Sequence, residues 1–124
     1  MDNKKLLPTL NNNIRSVVIK SNSWLARLAC RWMKSRRVAI VVGSTIHMYG
    51  AEPQNLFDDQ NWLAHELVHI DQFEKYGFFR FIILYLWETV KHGYYNNRYE
   101  VEARNKVNQM ASMQRMERFN FKIR

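Results

Sequence analysis

The stretch AHELVHI at positions 64–70 sets two histidines four residues apart, with a glutamate directly after the first. Residues four apart lie on one face of an α-helix, so His65 and His69 can aim both imidazoles at one point about 2 Å from each, as a zinc ion requires. Glu66 stands about 100° round the helix, beside such an ion and not on it. Two ligands do not close the site: catalytic zinc takes three from the protein and leaves a fourth position for water. A fold that uses this motif must bring the third ligand from another part of the chain.

With 124 residues there is room for one domain, spanning 1–124. Asp58 or Asp59 can cap the histidine helix, which runs to about Tyr76, where Gly77 supplies a left-handed C-terminal residue. Upstream, SNSWLARLACRWMKSRR reads as an amphipathic helix over about 22–36 with Ser21 or Ser23 as N-cap. Trp24, Leu25, Leu28, Ala29 and Trp32 recur on one of its faces, with Arg27, Arg31 and Lys34 towards the rest. VAIVVGSTIHMYG is β-branched on both sides of Gly43-Ser44 and predicts a hairpin. A third helix is expected from about Phe78 to His92, ended by Gly93. Its run FFRFIILYLW is interrupted by Arg80 and is about half the length needed to cross a bilayer, so it is expected to be buried. Asn96 or Asn97 can start a fourth helix continuing through EVEARNKVNQMASMQRME, and RFNFKIR takes no assignment. The sum is an α+β fold, mostly helical, with a small β element beside the histidine helix.

Candidates for the third ligand are His92, Glu100 and Glu102. A spacing of two puts the glutamates on opposite sides of a helix, so only one can face inward. At about 100° per residue, Glu100 lies within roughly 20° to 60° of the apolar stripe Ala103, Val107 and Ala111. Glu102 shares its face with Lys106 and can pair with it at i,i+4. A carboxylate buried beside an apolar stripe carries a heavy desolvation cost that a divalent cation removes, which favours Glu100. His47 is expected to be an ordinary strand residue and His92 a helix-terminal one, while Trp62, Phe73 and the methionines at 110, 113 and 116 are expected to pack.

HELVH followed by YEVEAR resembles the gluzincin metallopeptidases, whose third zinc ligand is a glutamate on a helix after the motif helix. In the membrane-protease branch of that clan a Glu-x-x-Ala-Asp segment supplies the ligand, and EVEAR matches it at Glu100 and Ala103 but has Arg104 in place of the acid. That departure bears on how the histidines are supported from behind. WLAHELVHIDQFEKYG through HGYYNNRYEVEAR also resembles a small bacterial metallopeptidase-like domain, seen alone and in injection-system-associated proteins, over roughly 37–105. The resemblance implies a minimal zincin-like fold and zinc-dependent peptide hydrolysis. Metal ligands would be His65, His69 and Glu100, with Glu66 as general base and a peptide or protein as substrate. A tyrosine of GYYNNRY would support the oxyanion: Tyr95 is the candidate, with Tyr94 and Tyr99 as alternatives. The resemblance further implies an edge strand that pairs with substrate backbone, for which STIHMYG at 44–50 is the candidate, and, at this length, an open site.

The net charge is +8, unevenly placed: before residue 50, nine Lys and Arg face one acid, whereas Glu52 to Glu74 holds six acids and no Lys or Arg. The basic N-terminal helix could therefore meet an anionic surface or a partner protein. A nucleic-acid- or membrane-binding module is one competing reading, but it leaves the HELVH and YEVEAR coincidence unexplained. A zinc-binding domain that cleaves nothing is the other, and it leaves Glu66 without a purpose. The single Cys30 excludes an intramolecular disulfide, and the N-terminal stretch has too short an apolar run for a signal peptide, so a cytoplasmic, non-transmembrane protein is expected.

Overall fold

Alternation in RSVVIK buries Val17 and Ile19 completely and makes β1 (Arg15–Lys20) the first element of a computed structural model that describes residues 14–109 and 118–124. Helix α1 (Trp24–Met33) begins at Ser23, whose hydroxyl accepts from the Ala26 N–H, and ends at Lys34 in the left-handed conformation, inside the expected 22–36. The expected hairpin forms from β2 (Val38–Val42) and β3 (Thr45–Tyr49), pairing Val38 with Tyr49 and Val42 with Thr45 around Gly43 at φ 66°.

The sheet is larger than that hairpin. Its order is β2-β3-β1-β4, with β1 parallel to both β3 and β4 (Phe119–Ile123), so the unassigned tail is a strand. Each parallel contact joins segments far apart in sequence, which local patterning does not reveal. The strand order also corrects the expected substrate edge: STIHMYG forms the interior β3, and among the described residues the edge on that side belongs to β2.

A short helix α2 (Pro53–Asp58), also unanticipated, starts with proline and a reciprocal Glu52–Asn55 cap. Asp59 then accepts from the Trp62 N–H at 3.1 Å and opens α3 (Gln60–Tyr76), the histidine helix. Gly77 ends it with φ 89° and ψ 154°, so the chain passes directly into α4 (Phe78–His92) without the left-handed helical turn expected there. Asn97 accepts from the Tyr99 N–H at 2.8 Å and starts α5 (Arg98–Gln109); the expected continuation of this helix, with Met110, Met113 and Met116, lies outside the described residues.

Leu63, Leu67 and Ile70 of α3 join Val17, Ile19, Ile46, Met48, Leu56 and Phe119 in the main core, so one face of α3 lies on the sheet. His65 and His69 fall roughly 100° to 160° round from those core positions, on the face turned towards α4 and α5. Trp62 packs at the edge of the main core, and Phe73 with Phe81 and Tyr99 in a second cluster, as expected.

Two helices turn bulky apolar residues outward, and for α4 this overturns the expected burial. On α1 the buried residues are Ala26 and Cys30, packed on Val38, while Trp24, Leu28 and Trp32 point to solvent. On α4, expected to be buried, only Phe81 is; Phe79, Ile83, Leu86, Trp87 and Val90 are exposed. In each case a small or narrow face meets the rest of the protein, and the bulkier apolar stripe is left outside.

Candidate metal centre

Helix α3 presents His65 and His69 one turn apart, and α5 delivers Glu100 to them across the largest helix–helix contact of the fold. Glu100 Oε1 lies 2.9 Å from His65 Nε2 and Oε2 lies 3.2 Å from His69 Nε2, with the two Nε2 atoms 3.2 Å apart. The ligand atoms of these three residues all fall within 4.8 Å of one another, close enough to hold a metal ion. Glu100 is buried, as its place beside Ala103 predicts, and Glu102 lies 3.8 Å from Lys106 as expected. His92 is exposed and takes no part.

Behind the triad stand residues that the sequence reading did not single out. His69 Nδ1 donates to Gln72 Oε1 at 2.8 Å, which fixes the ring orientation and leaves Nε2 towards Glu100 and His65. Gln72 is held in turn through its amide N–H groups, donated to the Tyr99 carbonyl at 3.1 Å and to Glu102 Oε1 at 2.9 Å. Gln72 follows His69 at i+3, so helical spacing alone could have found it. Tyr85 of α4 donates its hydroxyl to Glu100 Oε2 at 2.5 Å. It sits among the apolar residues of FIILYLW, where a buried hydroxyl needs a partner, a weak signal in sequence.

Arg104 stands where the acid of the resembled segment would be, and it does not reach the histidines. Its guanidinium donates to the Tyr95 carbonyl at 2.6 Å and covers the Tyr95 ring at 4.0 Å, so it fastens the turn between α4 and α5. The three tyrosines are placed differently. Tyr95 is 69% exposed and held under Arg104, and Tyr99 is buried against Tyr76 and Phe81, whereas Tyr94 lines both cavities beside the triad.

The first cavity, about 370 Å³, runs between α1, β2 and α4 to Glu66, His69, Tyr85, Tyr94 and Glu100, and Ala39 to Val42 of β2 form its floor. The second opens the other side of Glu66 and His65 towards Arg37, Asp59 and Trp62. His47 lines neither; its Nδ1 lies 2.8 Å from the Ser23 hydroxyl, as befits a strand residue, and burial and then Lys20 lower its pKa.

Burial raises the Glu66 carboxyl to about 7, with the Glu100 charge adding to the effect and the two histidines opposing it. For His69, burial works against the charged form but the hydrogen bond and charge of Glu100 outweigh it, lifting the ring to about 9. Glu100 shows the converse: burial alone would raise it, and the two histidines with Tyr85 hold it well below the usual carboxylate range. Tyr94 is pushed up by burial and then by the Glu100 and Glu66 carboxylates, so its hydroxyl keeps its proton and can donate. The site thus joins a three-donor cluster to a carboxyl that titrates near neutrality. No family model, curated protein or solved structure matches the chain.

Proposed function

We propose that the protein is a zinc-dependent peptide hydrolase of the gluzincin kind. The observation that carries this reading is the convergence of His65, His69 and Glu100, with the buried Glu66 carboxyl on the adjoining face of the same helix. The donor set, two imidazoles and one carboxylate, suits zinc. The imidazole nitrogens stand 3.2 Å apart and each lies 2.9 to 3.2 Å from one or other Glu100 oxygen, comparable to the roughly 3.3 Å between ligands that bonds of about 2.0 to 2.1 Å at tetrahedral angles produce. Zinc bound there would bring water towards ionisation at neutral pH and polarise a substrate carbonyl.

The chain's own residues supply the rest. Burial raises the Glu66 carboxyl and a zinc ion beside it would favour the carboxylate, so it can take a proton from the attacking water and pass it to the leaving amine. The Tyr94 hydroxyl, which also interacts with Glu100 in the metal-free site, would be the donor to a developing oxyanion. Tyr85 is already engaged with Glu100, and orients it. The edge of β2 beside the first cavity suits the backbone of an extended peptide, which would give affinity with little dependence on side chains. The apolar walls of that cavity favour apolar side chains where the peptide enters it.

Metal content and hydrolysis of unfolded protein test this together. The purified protein should carry one zinc per chain, lost in His65→Ala and Glu100→Ala, while Glu66→Gln should retain zinc and lose peptide cleavage. A Glu66→Gln protein as active as the parent would remove the general base and leave a zinc site that cleaves nothing.

A further inference from the structure

Among the described residues, two apolar stripes are largely exposed. On α1, Trp24, Leu28 and Trp32 recur at every fourth position and are 56% to 70% exposed. On α4, Phe79, Ile83, Leu86, Trp87 and Val90 are 57% to 81% exposed and share an arc of about 100°. Exposed apolar area arranged in this way marks a surface that meets something.

The stripes flank one opening. Leu25 of α1 and Ile82 and Leu86 of α4 line the same cavity, with β2 between them, so the two helices that carry the stripes stand on its two banks. Cations border both. Arg27 and Arg31 adjoin Trp24 and Leu28 on α1, which has no acid, and Arg80 and Lys91 adjoin Trp87 on α4. The only acid of α4, Glu88, accepts from the Arg98 N–H at 3.0 Å and, three residues before Lys91, offsets one of the two cations there.

We propose that α1 and α4 together seat the protein on an anionic lipid surface, with the mouth of the cleft turned to the bilayer. Three of the stripe residues are tryptophans, whose rings favour the headgroup level, and the arginines beside them favour anionic headgroups. A bilayer can receive two separate convex stripes at once, whereas a single partner helix needs one continuous groove. Neither helix is long and apolar enough to cross a membrane, so the seat is a surface one. The docking stands apart from any cleavage; on the hydrolase reading alone it would bring the cleft to peptide segments leaving the lipid.

Flotation with vesicles of phosphatidylcholine, with and without phosphatidylglycerol, tests the docking without reference to activity. The full chain should float with the anionic vesicles and only weakly with the neutral ones. Trp24→Ser with Trp32→Ser, Phe79→Ser with Trp87→Ser, and Arg27→Glu with Arg31→Glu should each weaken that binding by about tenfold or more. These side chains are exposed, so circular dichroism should be unchanged. Absence of flotation with either vesicle overturns the proposal, as does binding that both apolar pairs leave intact. A dimer in sedimentation that the same variants dissolve, without flotation, would instead assign the surface to a second copy of the chain.

Discussion

Gln72 shows how much of this site is built from residues that would never touch an ion. Its carbonyl fixes the His69 ring while its amide is held by Tyr99 and Glu102, so its removal frees the imidazole to rotate. Gln72→Ala should weaken zinc binding by about 10- to 100-fold, read by competition with a fluorescent chelator, and binding equal to the parent would deny Gln72 that part. The two neighbouring tyrosines make a paired test. Tyr94→Phe should lower kcat on a peptide substrate by about 10²- to 10³-fold with little change in KM, whereas Tyr95→Phe should leave kcat as it was. The reverse pattern would return the assignment to Tyr95. Glu100 was accessible from sequence because burial beside Ala103 leaves a carboxylate needing a partner; Tyr85 was not, because which polar atom meets its hydroxyl depends on how α4 crosses α5.

The hairpin depends on a close approach at its exit. Gly50 takes φ 80°, and a methyl group there would lie 2.0 Å from the Arg36 carbonyl oxygen, a backbone atom with no room to yield. Gly50→Ala should therefore cost roughly 1 to 3 kcal/mol in urea unfolding, from strained φ and displaced backbone together. A loss of only a few tenths would show that the β2 flank moves freely. The caps at Asp59 and Asn97 and the Gly43 turn were legible because each is a short-range arrangement that residue type dictates. β1 and β4 escaped notice because their pairing is parallel and distant: Arg15 faces Phe119, and no local pattern records that. α2 was hidden by its brevity, since at six residues it has no period to read.

Across the molecule, the His69–Glu100 contact joins α3 to α5, and Arg15 pairs with Asp71 and Glu74 to join β1 to α3. The first tie makes stability depend on pH in the metal-free protein. The raised His69 contributes fully below its ordinary 6.5, and that contribution is lost as pH rises through about 9. The depressed Glu100 contributes above its ordinary 4.5 and loses its part as pH falls through its folded value. With chelator present, Tm should therefore fall between pH 6.5 and 9, and Glu100→Gln should flatten that fall. Zinc must displace the His69 proton, so its stabilising effect should grow over the same interval, reaching about 2.7 kcal/mol at a free concentration a hundred times Kd. A metal-free Tm that climbs through this range would contradict the charged pair.

Chain order and residue type were enough to place the histidines on one helical face, to pick Glu100 over Glu102, and to divide most of the chain into helices and a hairpin. Those features rest on spacing and on local hydrogen bonds, which the backbone carries wherever it goes. Periodicity states which side chains share a face; it is silent on which face another element will cover. Packing alone chose the small face of α1 and the Phe81 side of α4, set β2 at the sheet edge and brought Tyr94 to the cleft. The same choice left two aromatic stripes on the outside, because burial is a property of the assembled neighbours and not of any one segment.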